Sequence, residues 1–238
     1  LTPGHCRKYY LGRQVLRREG TAIGKERLAA FSDGVIAIII TIMVLELAVP
    51  HGAGFGALRP LIPVMLSYVL SFVYVGIYWN NHHHLLAVTE RVRGAVLWAN
   101  MHLLFWLSLV PFVTSWMGEN RLALAPTVTY GVVLFGAAIA FWILQATILK
   151  TPGQNPTLAA AIGHDPKGKL SPVLYLIAVC CAFFHPWIAD VVYVVVALIW
   201  LIPDSRIERA FFGKMDKDNS KPSRPQKEDA GNHKDTVV

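Results

Sequence analysis

Apolar residues in this chain gather in long blocks divided by short polar or basic breaks. The blocks run from about Leu28 to Val49, Ala57 to Asn80, Gly94 to Met117, Ala123 to Leu149, Leu170 to His185 and Pro186 to Pro203. A helix rises 1.5 Å per residue, so about 20 apolar residues cross a hydrocarbon core roughly 30 Å thick. All six blocks qualify as spans, the last two marginally. The stretch "LSPVLYLIAVCCAFFHPWIADVVYVVVALIWLIP" reads either as one overlong helix of about 50 Å or as two short helices joined at "HPWIAD".

The breaks decide between five spans and six. Lys and Arg accumulate on the cytoplasmic side of short loops. With six spans and both ends inside, 20 of the 22 basic residues fall on one side, and only Arg59 and Arg121 lie opposite. Five spans would carry the eight basic residues of the tail to the wrong side. The expected organisation is an all-α, polytopic membrane protein with a basic cytoplasmic segment over 1–26 that is a candidate for disorder, a six-helix domain over 27–203 and a largely disordered tail over 204–238.

Composition agrees, with 54% apolar and 16% charged residues. The net charge of +7 is accounted for by topology and by contact with anionic lipid heads, so nucleic acid is not an expected partner. The N-terminal "GHCRKYYLGRQVLRREG" has no apolar core or small-residue cleavage site and is not a cleavable signal. Cys6 stands alone and Cys180 and Cys181 are adjacent, which makes neither a disulfide framework nor a C-x-x-C metal site. Function is expected to reside in the membrane.

The first span, "RLAAFSDGVIAIIITIMVLEL", carries Ser32 and Asp33 one turn inside its start. An ionised carboxylate at that depth needs a partner or a watery cavity. At about 100° per residue, Ile38, Ile42 and Leu45 share a stripe with Thr41 about 60° to one side. Asp33 lies about 140° from that stripe and Ser32 about 120° the other way. The polar pair and the apolar stripe therefore meet different neighbours, and lipid is the plainest neighbour for the stripe. Arg27 sits at the rim, where it can snorkel and partly neutralise Asp33.

These residues carry a resemblance. The stretch from Arg27 through Phe31, Ser32 and Asp33 resembles the R-x-x-x-F-S-D signature of bacterial relatives of the endolysosomal potassium channel called transmembrane protein 175. "YWNNHHHLL" at the end of span 2 and "VLWANMHLLFWLSLVPF" in span 3 are similar to that family's W-x-x-H element and its Trp/Asn-containing helix. The likeness covers about Lys25 to Pro203. It implies a homotetramer of six-helix subunits in the cell's inner membrane, with the first helix of each lining a central path for potassium, and no cofactor. It places the constriction at Ile38, continues the lining with Ile42 and Leu45, and sets the Thr41 hydroxyl beside it. Asp33 and Ser32 would then bond with His82 and Trp98 within their own subunit, with Asn100, Arg27 and Phe31 belonging to the same structural network. The T-V-G-Y-G carbonyl filter is absent from the sequence.

Other polar residues of the chain admit plainer roles. His82, His83 and His84 are consecutive, so on a helix their side chains diverge by about 100° and cannot close on one metal ion. His84 stands where many relatives carry Arg, which would make the cytoplasmic mouth pH-sensitive; an interfacial role at a helix end is the plainer alternative. Glu46 reads as a headgroup-level carboxylate or as an attractor of cations. His102 and Gln145 need hydrogen-bond partners at membrane depth. Ser108 and Ser115 have no base in register, so no enzyme is indicated. A secondary transporter coupled through Asp33 and a non-conducting scaffold remain as alternatives.

Overall fold

The structure, a computed structural model, describes the backbone of residues 3–120, 123–152 and 166–201, and side chains over 24–87, 89–120, 123–152 and 168–201. The tail from 204 and the end of the sixth expected span past Leu201 lie outside the described residues. All described regular structure is helical: α1 (Pro3–Leu45), a 3-10 helix (Phe55–Leu61), α2 (Ile62–Val88), α3 (Gly94–Ser108), α4 (Val110–Glu119), α5 (Leu124–Lys150), α6 (Pro166–Ala182) and α7 (Pro186–Leu201). Four stretches are long and apolar enough to cross a membrane, from Gly24–Leu45 to Leu124–Lys150, and two shorter apolar helices follow. Six spans per subunit fit this set.

Two boundaries differ from the sequence expectation, each for a local reason. The basic segment before Arg27 is not set off by a break, because α1 runs without interruption from Pro3. No proline occurs between Pro3 and Pro50 to interrupt it. The third span is two helices, not one, broken at Leu109. Pro111 at the start of α4 has no N–H to donate, and its ring collides with a carbonyl one turn back. The Leu109 N–H turns instead to Trp106 O at 3.2 Å, the tighter pattern that marks a kink.

The last apolar stretch resolves into two helices joined at Phe183–His185, where the Phe184 and His185 N–H groups both reach Cys181 O at 3.0 Å. Pro186 then opens α7, the position where a missing N–H is harmless. The two short helices pack on each other and α6 lies on α5.

Small residues set how closely these helices meet. Gly136 on α5 lies flat against the Trp106 indole, and Gly131 against the Tyr193 hydroxyl, so a Cβ at either position has no room. Without a hydrophobic drive between helices in lipid, such close approach and interhelical hydrogen bonds hold a bundle together. The arrangement has two sides. On one, α1 packs on α2, α3 and α4; on the other, α7 packs on α2 and α5.

Candidate functional site: the first helix and its anchor

α1 touches its own subunit through a narrow arc. Leu28, Ser32, Ile36, Ile39 and Met43 are buried, and their 3- and 4-residue spacing spreads them over about 80° of the helix. The stripe of Ile38, Ile42 and Leu45 lies about 110° away and is exposed, Leu45 by 79%. Thr41 is exposed beside it. Its hydroxyl donates to Ile38 O at 2.9 Å, a bond within its own helix that leaves the oxygen lone pairs outward.

The buried arc is fixed by a chain of three polar side chains, each essentially without solvent exposure. The Ser32 hydroxyl donates to Leu28 O at 2.9 Å and accepts from the Asn100 amide nitrogen at 2.9 Å. The Asn100 oxygen then meets His82 Nε2 at 2.7 Å. An amide oxygen only accepts, so Nε2 carries the proton. The chain joins α1 to α3 and α3 to α2, and each member meets a polar need of the next. In hydrocarbon such a network is stable only when complete.

Asp33 does not join this chain. It stays exposed, and its Oδ1 accepts from the Trp79 indole N–H at 3.0 Å. The expected bonds from Asp33 and Ser32 to Trp98 are absent, because Trp98 points out of the subunit with 79% of its surface exposed. The W-x-x-H element explains both outcomes. Trp79 and His82 are three residues apart on α2, so one side chain reaches Asp33 while the other reaches Asn100. Arg27 and Phe31 are exposed, and no ion pair joins Arg27 to Asp33 among the described residues.

Other expected positions fall apart spatially. His82 is buried, His83 is exposed and His84 is half-buried, as consecutive helical residues must be. Ser115 donates to Glu46 across a long 3.5 Å. His102 accepts from Trp106 Nε1 at 3.1 Å, one turn along the same helix. Gln145 makes no such bond among the described residues.

Some polar groups were not singled out from the sequence. Lys25 Nζ donates to Ala87 O at 2.7 Å and so caps the end of α2 from α1. A second buried chain runs from Thr114 to Ser71 at 2.7 Å, and Ser71 pairs with Tyr130 at 2.9 Å. Tyr74 donates to Tyr193 O at 2.6 Å and Tyr193 to Thr127 O at 3.1 Å. The signal was the 3- and 4-residue recurrence of Ser67, Ser71, Tyr74, Tyr78 and His82 along one face of span 2. Beside that belt, both carboxyl oxygens of Asp190 and the Thr127 hydroxyl are buried with no hydrogen-bond partner among the described residues.

A family profile described as "Endosomal/lysosomal potassium channel TMEM175" matches residues 27–111, the segment that holds α1's anchor and both its partner helices. A potassium channel from Chryseobacterium sp. (strain P1-3) is 53% identical over 186 residues, covering 78% of this chain and 97% of that protein. The endosomal/lysosomal proton channel TMEM175 of Gallus gallus is 40% identical over 84 residues, 30% of this chain and 17% of that protein. Among solved structures, the crystal structure of a lysosomal potassium-selective channel TMEM175 homolog from Chamaesiphon minutus superposes with a TM-score of 0.66. The sequence identity there is 28%, and the match covers 75% of this chain and 97% of that one.

Proposed function

The chain belongs to the TMEM175 family of ion channels, and from that premise we propose that four copies form a potassium-preferring, passively conducting pore lined by the Ile38, Ile42 and Leu45 face of α1. The observation that carries this reading is the division of α1. One arc is locked into the subunit by Ser32, Asn100 and His82, while the stripe about 110° away is left uncovered. Four such helices around one axis close a path that a single subunit does not contain.

Physically, a ring of Ile38 side chains supplies no oxygen to replace an ion's lost water. It acts as a gate by dewetting and by size, and conducts when the ring widens. The Thr41 oxygen beside it offers lone pairs to a partly stripped cation. Potassium gives up water more easily than sodium, so the ring favours potassium, more weakly than a ring of backbone carbonyls does. Ser32, Asn100 and His82 hold the helix at the axis, and Asp33 with Trp79 secures its inner end. Both termini lie on the cytoplasmic side of the cell's inner membrane, in keeping with the charge asymmetry of the loops. Potassium is the permeant species and no cofactor takes part.

Purified protein in liposomes tests this reading. Downhill potassium flux that exceeds sodium flux and needs no second gradient supports the channel. Flux that stops unless a proton or sodium gradient is supplied favours a transporter coupled through Asp33. A monomer by cross-linking in the same liposomes sinks the shared pore.

A further inference from the structure

Asp190 is an ionisable residue for which the pore has no use. It lies on α7, four residues in from Pro186, and both its carboxyl oxygens are buried with no hydrogen-bond partner, charged or neutral, among the described residues. A carboxylate taken out of water needs a compensating charge, and inside a membrane such a residue points to a functional site whose partner must be named.

A second orphan stands beside it. Thr127, three residues in from Leu124 on α5, has no solvent exposure, and its hydroxyl oxygen is also without a partner among the described residues. The two helices run in the same direction, since Tyr193 meets Thr127 near one end and Trp200 lies beside Phe141 and Gln145 further along. At 1.5 Å per residue, Asp190 and Thr127 are about 6 Å and about 4.5 Å inside the starts of their helices, and so share one depth.

Tyr193 ties them together. It follows Asp190 by one turn on α7, and its hydroxyl donates to Thr127 O at 3.1 Å. The Tyr130 ring lies against it with centroids 5.5 Å apart, and Asp190 is close enough to act electrostatically on both phenols. Tyr193 spends its proton on Thr127 O and Tyr130 shares one with Ser71, so both phenol oxygens keep lone pairs.

The groups gathered here are all oxygens and carry one negative charge between them. Hard cations prefer that donor set, and a single charge balances a monovalent one. Water does not reach the Asp190 and Thr127 oxygens. A stripped potassium ion is about as large as a water molecule, whereas sodium is smaller. We propose that Asp190 and Thr127 hold a dehydrated sodium ion between α5 and α7, with the Tyr193 phenol oxygen beside it. The site is separate from α1, which packs on α2, α3 and α4, and it does not rest on the pore.

Thermal melting of the full chain in detergent micelles tests this, with chloride salts exchanged at constant ionic strength. Replacing choline by sodium is expected to raise the melting temperature saturably, by about 3 °C once sodium is several times its dissociation constant. Asp190→Asn removes that increment. Thr127→Val keeps the shape, takes away one oxygen and shifts the midpoint to about fivefold more sodium; it decides the matter if Asp190→Asn fails to fold. Any effect of potassium is the same in the parent and in Asp190→Asn. A melt indifferent to sodium, a sodium increment that survives Asp190→Asn, or a potassium increment lost in that variant overturns the proposal. So does a melt that Asp190 makes dependent on pH and not on sodium, which would give the carboxyl a proton as its partner. Melting is read without flux, so a failed pore leaves this site standing and a failed site leaves the pore standing.

Discussion

Ile38 and Ile39 are the same residue one step apart on α1, yet 58% of the first is exposed and 3% of the second. Nothing in their chemistry separates them. What differs is direction: Ile39 lies on the arc that Ser32 pins through Asn100 to His82, and Ile38 lies about 100° away. In water, burial would itself reward the inward face. In lipid the surroundings are as apolar as the core, so polar bonds and close packing must set the helix's rotation. The two faces therefore depend on different things, and substitutions separate them.

The largest expected effect is on the open face. On the proposed pore, Ile38→Asn places an amide where the ring has no polar atom, wets the constriction and raises potassium flux at least about tenfold in liposomes. Flux equal to the parent's would place the gate elsewhere. Next comes Asn100→Leu on the anchored face, which strands the His82 Nε2–H in the interior and leaves the Ser32 hydroxyl only its bond to Leu28 O. The orphaned imidazole N–H costs about 1–3 kcal/mol, so a clear fall in melting temperature and loss of the assembled species is expected by thermal scanning with size-exclusion chromatography. An unshifted melt would mean that packing alone orients α1.

A smaller loss follows from Asp33→Ala, since that carboxylate is exposed at the rim and bonded through one oxygen to Trp79. The melting shift should be well below that of Asn100→Leu and should be reproduced by Trp79→Phe; a shift as large as that of Asn100→Leu would make Asp33 part of the anchor. The smallest effect belongs to Thr41→Val, which keeps the shape and removes the oxygen. It should change the ratio of potassium to sodium flux by less than about twofold, because a ring selecting by size leans little on one hydroxyl. A larger change would transfer selectivity to Thr41.

How much of this was legible in the sequence depended on the physics involved. Helical periodicity separated Ser32 from the Ile38, Ile42 and Leu45 stripe, because angles around a helix follow from spacing alone. The two short final helices were legible, since a single helix would have overrun the bilayer and carried the basic tail to the wrong side. The break at Leu109 was not foreseen, although Pro111 was in view, because a proline near a span's end looks harmless until the span's length is known. The partner of Asp33 was also missed. The choice between Trp79 and Trp98 turns on which face of α2 and α3 meets α1, a property of packing that neither motif contains. Lys25 lay beside the signature unnoticed, since its target is a backbone carbonyl of another helix and carbonyls leave no trace in composition.

The most direct test compares Ile38→Cys with Ile39→Cys in a background where Cys6, Cys180 and Cys181 are replaced by serine. Potassium flux is measured in liposomes before and after a charged, membrane-impermeant methanethiosulfonate reagent is supplied on both sides. The account predicts that modification changes flux strongly in Ile38→Cys and leaves Ile39→Cys as it was. Flux through Ile38→Cys that is untouched by the reagent, alongside a responsive Ile39→Cys, would contradict the account and turn α1 the other way round.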